Sequence, residues 1–418
     1  MKNSIILLLA GVAAAAISCQ KEPLGSAPQA DSSERGFISI SLGSGPSTKA
    51  AADVSLQDLD RTVSEVQIAI FNAPSSRDAG YRQFYSSYGA QTLENDNTTP
   101  DLETISLPVG DYTVYAVVNG PDVSGTTTLD ALLATVAPFD EWNGTNSNEA
   151  GVSSAVRNLV QTGSASVTVG TAQTQAAPAK VVVPVKRLAS RVKLASVTNN
   201  LPEGYGEVKL KRAFLANVVK NENLGAELNL SATAWNAAVT SGVESFWGNC
   251  WGRSSIADKA SIIGTGSNAA YSPENTFCDY RQAVSITRGA ASEAPAHYFY
   301  CYANPSLDYI EDPTAINESG WDASKATTEL VAVVEVFDGS GSLGERYYRV
   351  PLRYNSTGHG VTSQRTDEKG LLPNHAYSVA LTLTALGPED FTTIEKGCCS
   401  FEIKVSDWDA GDYMETVL

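Results

Sequence analysis

The side chains that most often carry catalysis are scarce in this chain. Its 418 residues include three histidines, His297, His359 and His375. His359 lies in a Gly-rich turn, and His375 directly precedes an alternating apolar pattern. The sequence contains no Gly-x-Ser-x-Gly motif, the turn that presents the nucleophile of many hydrolases. Since no nucleophile or orienting carboxylate is evident beside any histidine, we expect all three to be structural or solvent-facing.

Carboxylates and cysteines form no recognisable site either. The 46 Asp and Glu residues are scattered along the chain, whereas glycoside hydrolysis needs two carboxyl groups that face each other at a set distance. The sequence has no calcium loop of the EF-hand pattern and no Cys-x-x-Cys pair for zinc. We expect a protein that is not an enzyme and that holds neither a metal nor a cofactor.

The charge excludes several classes of partner. The chain has 29 Lys and Arg against 46 Asp and Glu, a net charge of −17. Nucleic acids and anionic lipid head groups are bound through excess positive charge, so we expect neither as a partner. The hydrophobic fraction of 43% is enough for a sizeable core.

The first residues predict export and lipid attachment. An apolar run over residues 5–17 follows Lys2. It is shorter than the about 20 residues that span a bilayer, and its position is typical of a signal peptide. The run ends in Ala16, Ile17, Ser18 and Cys19, which resembles the lipobox of bacterial lipoproteins. We predict that residues 1–18 are removed, that Cys19 is lipidated and that residues 19–35 form a flexible tether. The alternative is an ordinary secretory signal with an incidental cysteine.

Five further cysteines remain after Cys19, and they are Cys250, Cys278, Cys301, Cys398 and Cys399. Because five is odd, at least one thiol is unpaired or pairs between chains, and the pairing is left open. Cys398 and Cys399 are adjacent. If both lie at the start of a strand, their side chains point to opposite faces of the sheet.

Alternation with a period of two residues dominates the rest of the chain and predicts an all-β fold. Ile38, Ile40 and Leu42 alternate with serines, and the clearest pattern covers residues 377–383. Such strands bury one face, as in antiparallel β-sandwiches. Helical patterns are limited to short insertions over residues 128–136 and 151–160. A stretch of small residues before Pro184 predicts two domains, 36–184 and 185–418.

Several of these segments occur in the order and spacing of one family. They are Ser18-Cys19, the strand pattern over 37–42, VQIAIFN over 66–72, LPVGDYTVYAVVN over 107–119, KRLASRVKL over 186–194, and PNHAY and IKVSDW over 373–377 and 403–408. Through them, residues 36–418 resemble the fimbrillins of Bacteroidales, the FimA and Mfa family of type V pilus subunits.

The resemblance implies two β-sandwich domains of transthyretin-like topology and a lipidated precursor on the outer membrane. It also implies that a trypsin-like protease cuts behind the first strand. That strand then leaves, and the C-terminal segment of a neighbouring subunit fills the groove, a form of β-strand addition.

The family motifs assign residues to these steps. The cut would fall between Lys49 and Ala50, in a loop of small polar residues, although the family's best-known members have Arg there. Arg61 is a second candidate. The displaced strand would be Phe37, Ile38, Ile40 and Leu42, and the donor strand would lie within about residues 400–418 and include Phe401, Ile403, Val405 and Trp408.

The resulting interpretation is a structural subunit of an adhesive surface fimbria. Its partners would be other copies of itself, other fimbrial subunits and the maturation protease, first at the outer membrane and then in the extracellular fimbrium. The alternative is a non-polymerising or tip lipoprotein that binds glycan or host protein. The aromatic residues Trp247, Trp251, Tyr271 and Tyr280 are the candidates for stacking against sugar rings.

Overall fold

The computed structural model describes residues 34–44, 63–91, 99, 101–139, 158–216, 218–219, 221–225, 277–295, 297–304, 327–355, 368–389 and 397–407. Within these ranges the chain is almost entirely β-strand, which confirms the predicted all-β class. The predicted signal peptide and most of the predicted tether lie outside the described residues, as do residues 151–157 of the second predicted helix.

The first half forms a β-sandwich from seven of its eight strands. Its elements are β1 Arg35–Ser44, β2 Val66–Asn72, β3 Arg82–Tyr88, β4 Thr104–Pro108, β5 Gly110–Val118, α1 Leu129–Leu133, β6 Val136–Pro138, β7 Gln161–Val169 and β8 Ala179–Arg187. The strand order is β3-β2-β5-β7-β8-β1-β4. Strands β7 and β8 share only two paired positions, so the sheet folds there into two layers with a common apolar core. Helix α1 falls inside the predicted insertion, and the Thr128 hydroxyl caps it by accepting from the backbone N–H of Ala131.

Gly163 marks the point where the two layers of this sandwich meet. A Cβ atom at this position would lie 2.0 Å from the backbone carbonyl oxygen of Pro184, far inside van der Waals contact. The conflict is with backbone, which cannot rotate away. Glycine is therefore required where β7 crosses β8.

The second half holds two further packed sheets. Its strands are β9 Ala189–Asn199, β10 Tyr205–Ala216, β11 Asn221–Asn223, β12 Phe277–Thr287, β13 Ala291–Glu293, β14 Phe299–Tyr302, β15 Glu329–Asp338, β16 Gly341–Pro351, β17 Tyr354–Asn355, β18 Glu368–Lys369, β19 His375–Leu383 and β20 Cys399–Asp407. One sheet has the order β12-β10-β15-β16, and the other β13-β9-β19-β20 with β14 also on β9. Apolar residues from both sheets share one core, which packs them face to face.

Two details differ from the expected antiparallel domains. The β1–β8 and β9–β19 pairs are parallel, whereas the alternation alone favoured antiparallel neighbours. Strand β8 also continues through Pro184, whose side chain is exposed, and ends at Arg187. The chain therefore passes to the next sheet at Leu188, not at Pro184. The predicted division into 36–184 and 185–418 is untested as a domain boundary, and it stays a prediction.

A small strand pair fastens the second half to the first. Strand β11 pairs antiparallel with β6. The segment continues with backbone hydrogen bonds from Leu224 to Thr135 and from Gly225 to Leu133, each 3.0 Å. The Tyr115 hydroxyl donates to the Leu224 carbonyl at 2.7 Å. Together these contacts fix residues 221–225 on the first half.

Glu222 places a carboxyl group inside this strand pair. It lies opposite Ala137 and is 7% exposed. Its Oε1 accepts from the Asn223 N–H, while Oε2 has no hydrogen-bond partner within the described part of the chain. Burial raises the pKa of Glu222 to about 8, so the neutral acid is the form that fits the folded protein.

This environment makes a pH-dependent contribution to stability. The folded-state pKa lies above the unfolded one, so the contribution is complete below about pH 4 and is lost as pH rises toward about 8. Glu222→Gln keeps a neutral side chain at every pH. We therefore expect the free energy of unfolding of this variant, measured by urea titration, to rise relative to that of wild type as pH rises from about 5 to about 9. The exposed Glu203→Gln is the control, and parallel pH profiles for wild type and Glu222→Gln would contradict the assignment.

Candidate functional site

Strand β1 is hydrogen-bonded along both of its edges. It pairs parallel with β8 from Ile38 to Ser44 and antiparallel with β4 from Arg35 to Ser39. Beyond β4, Thr99 extends this edge, since its hydroxyl accepts from the Leu42 N–H at 2.9 Å and its own N–H donates to the Leu42 carbonyl at 2.8 Å. Removing β1 would therefore leave a gap bordered by two unpaired strand edges.

The inner face of β1 belongs to the core of the first sandwich. Ile38 and Leu42 are fully buried and Ile40 is 1% exposed, and they pack with residues of β2, β5 and β8. Phe37 faces outward and is partly buried. Each buried aliphatic side chain contributes about 1.5–3 kcal/mol, so the three contribute at most roughly 5–9 kcal/mol. This range is comparable with the whole stability of a typical domain.

Gly36 is a site residue that the alternation pattern did not single out. A Cβ atom there would lie 2.2 Å from the Gly170 carbonyl oxygen and 2.8 Å from the Val169 side chain. One signal was available, because a glycine directly before an alternating strand often marks close approach of another backbone segment. The segment in question is 134 positions away in the sequence (170 minus 36), so the sequence did not identify it.

The predicted donor residues lie in β20, at the edge of a sheet of their own chain. Strand β20 pairs antiparallel with β19 over nine positions, from Cys399 to Asp407. Ile403 and Val405 are 1% and 3% exposed in the core of the second half, and Phe401 packs against it. Their donor role stays a prediction, and Trp408 lies outside the described residues.

The residues predicted for processing also fall outside the described part of the chain. These are Cys19, Lys49, Ala50 and Arg61. Arg35, the basic residue just before the displaced strand, is described. Its guanidinium donates to the hydroxyl and to the carbonyl of Ser106, at 3.0 and 2.8 Å.

The condition for opposite faces is not met, because β20 begins at Cys399 and Cys398 precedes it, in a turn that follows Gly397 at φ +80°. Cys399 lies opposite Leu383 and packs against the core that contains Cys398, and the two thiols interact. Within the described part of the chain, Cys301, Cys398 and Cys399 form no disulfide with one another. Burial raises the pKa of Cys301 to about 12, which favours an unreactive thiol.

The two described histidines, His297 and His375, have separate surroundings and share no site. His297 is 6% exposed and packs edge-on against Phe299, and burial lowers its pKa to about 4. The Nδ1 atom of His375 lies 2.7 Å from the Pro373 carbonyl oxygen. Among the described residues no group of three or more His, Cys, Asp or Glu side chains could hold a metal ion, and no described helix is long and apolar enough to cross a membrane.

Comparison with solved structures identifies the fold. A candidate cell adhesion protein of Parabacteroides distasonis aligns with a TM-score of 0.51 at 15% identity, over 90% of this chain and 99% of that chain. A second such protein from the same organism gives 0.52 at 11%, over 90% and 98%. A fimbrilin, FimA, of Porphyromonas gingivalis gives 0.50 at 13%, over 90% and 98%. No family model and no curated protein matches the sequence. At these identities the likeness shows the fold, and it confirms the fimbrillin-type β-sandwich that the motifs implied.

The burial of β1 can be tested by truncating one side chain. Ile40→Ala should destabilise the first sandwich by about 2–5 kcal/mol, because it removes buried methyl groups and leaves a cavity. The matched control is Val182→Ala on the neighbouring strand, where the side chain is 49% exposed and the change should stay within about 0.5 kcal/mol. Urea unfolding of both variants measures the difference, and equal effects would show that β1 is not packed as described.

Proposed function

We propose that this chain is a structural subunit of an adhesive surface fimbria and that it polymerises when β1 is replaced by a strand of a neighbouring subunit. One observation carries the proposal. Strand β1 lies between β8 and β4 and buries three apolar side chains, so its loss would open a groove one strand wide. Such a groove is completed by another extended chain. The fold shared with a fimbrilin and with candidate cell adhesion proteins supports this function.

Export and maturation belong to the proposal. The precursor is lipidated at Cys19 and held on the outer membrane, and a trypsin-like protease then cuts between Lys49 and Ala50. The position of β1 supports a cut at this place, because Lys49 follows the end of β1 at Ser44 by five residues. A cut after Arg35 would leave β1 attached to the rest of the chain. Cleavage replaces a covalent tether by concentration-dependent retention of the strand.

The donor is the C-terminal strand of a neighbouring copy, with Phe401, Ile403 and Val405 supplying apolar side chains at the two-residue spacing of β1. Trp408 is a further candidate. Other fimbrial subunits are the remaining partners, and the assembled subunit is extracellular. No cofactor and no enzymatic activity belong to this function.

One observation favours a second candidate function. Because Ile403 and Val405 already fill the core of their own chain, donating β20 removes that burial from the second half. A subunit that retained β20 would accept a strand without offering one, as expected of a non-polymerising or tip lipoprotein that binds glycan or host protein. Of the residues predicted to stack against sugar rings, Tyr280 is 3% exposed and lies in the core, so it does not present its ring to a ligand. The other three, Trp247, Trp251 and Tyr271, lie outside the described residues.

Limited proteolysis tests assembly. Trypsin should convert the purified, unlipidated precursor from monomer into polymers visible by light scattering and electron microscopy, since cutting after Lys49 frees β1. Lys49→Ala should remain monomeric, and the Lys49→Ala/Arg61→Ala double variant controls for a cut at Arg61. A wild-type protein that has demonstrably released residues 35–44 and still stays monomeric would overturn polymerisation and leave the second candidate function.

Lipid attachment is tested separately in a bacterial host that lipidates exported proteins. A palmitate analogue should label wild type and should not label Cys19→Ala, because the acyl chains depend on that cysteine. Equal labelling of the two proteins would show that residues 16–19 are not a lipobox.

A further inference from the structure

The start of β1 accepts only glycine, and this restriction limits which strand can replace it. At Gly36 a Cβ atom would lie 2.2 Å from the Gly170 carbonyl oxygen and 3.2 Å from its carbonyl carbon. These are backbone atoms next to the end of β7, a core strand paired along β5. They cannot move aside as a flexible side chain can. A replacing strand therefore needs glycine at this position, or must end before it.

The apolar positions of the groove follow this glycine at fixed intervals. Ile38, Ile40 and Leu42 face the core at the second, fourth and sixth positions after Gly36. The groove therefore selects the pattern glycine-x-apolar-x-apolar-x-apolar in a strand that runs in the direction of β1. Residues 397–407 contain this pattern once, and Gly397 is their only glycine.

We propose that the donor strand of a second copy begins at Gly397 and enters the groove parallel to β8, in the register that this glycine sets. The proposal rests on the proposed function. The replacements are Gly397 for Gly36, Cys399 for Ile38, Phe401 for Ile40 and Ile403 for Leu42.

Other registers of the same strand place a side chain against the Gly170 carbonyl. If Phe401, Ile403 and Val405 occupied the three apolar positions, Cys399 would stand where Gly36 is. A further shift by two residues would put Phe401 there. With the strand reversed and Val405, Ile403 and Phe401 on the three positions, Asp407 would take the glycine position. The clash thus excludes each of these other registers for a strand that spans the glycine position.

The proposed register keeps apolar side chains on the inner face of the groove and polar side chains on the outer face. A smaller cysteine and a larger phenylalanine replace two isoleucines, so all three inward positions remain apolar. On the outer face Ser400 takes the place of Ser39. Glu402 takes the place of Ser41, which is 8% exposed and lies opposite Val182 on β8, two residues from the exposed Lys180.

Peptides test the register without disturbing the donor's own sheet. Gly397 has φ +80° in its own chain, so replacing it in the full protein would also strain the turn before β20. The experiment uses the full chain cut at Lys49 and freed of β1 at a dilution at which light scattering detects no polymer, so that the groove is open to added peptide. Binding of fluorescein-labelled peptides is followed by anisotropy under reducing conditions. The probes are residues 397–407, the same peptide with Gly397→Ala, and a control peptide with Ser400→Ala.

We expect the 397–407 peptide and its Ser400→Ala control to bind with similar affinity. The Gly397→Ala peptide should bind at least about tenfold more weakly, the loss that an overpacking penalty of about 1.4 kcal/mol produces. Equal binding of the Gly397→Ala peptide would overturn the register. So would binding of a 408–418 peptide in place of 397–407.

A peptide of residues 35–44 and its Gly36→Ala variant separate this inference from the proposed function. If the 35–44 peptide rebinds and 397–407 does not, the groove exists and the proposed donor strand is wrong. If no peptide, including 35–44, binds the cut protein, there is no exchangeable groove, and the proposed function and the register both fail.

Discussion

The first sandwich depends on one long-range pairing, the insertion of β1 between β8 and β4. Strand β8 follows β1 by more than 130 residues, so their contact closes a long loop at an entropic cost that grows slowly with length. This cost is offset by the burial of Ile38, Ile40 and Leu42 and by hydrogen bonds along both edges of the strand. Since this burial is comparable with the stability of a domain, β1 is both a structural necessity and the natural point at which another chain could enter.

Close approaches between backbone segments limit which strand can occupy the β1 position. Gly36 and Gly163 each lie so near to another segment that a methyl group would overlap a carbonyl oxygen, of Gly170 and of Pro184 respectively. Apolar pockets tolerate many side chains of similar volume, whereas a backbone carbonyl tolerates none at such distances. The register of any strand in the β1 position is therefore set more firmly by glycine than by the apolar residues that provide most of the binding energy.

The strands of the second half are held in their sheets by contacts of different number and strength. A buried ion pair joins β15 to β16. The Nε and Nη2 atoms of Arg349 donate to the two carboxylate oxygens of Glu329, at 2.5 and 2.6 Å. Strand β20 lies at the edge of the other sheet and pairs only with β19 within the described residues. An edge strand can leave with loss of one ladder, so β20 is suited to exchange, although its departure uncovers the contacts of Ile403 and Val405.

The sequence by itself determined the all-β class, the inward faces of β1, β19 and β20, and the helix that begins after Thr128. A period-two pattern reports which side chains are buried, because burial selects side chains one residue at a time. It does not report which strand lies alongside, because every strand offers the same backbone hydrogen bonds. The parallel β1–β8 pair, the packing of Cys399 against the core, the buried Glu222 in the β6–β11 pair and the steric role of Gly36 each depend on segments distant in the chain. Only the tertiary structure decided these features, because packing distances between remote backbones are not encoded in any local spacing.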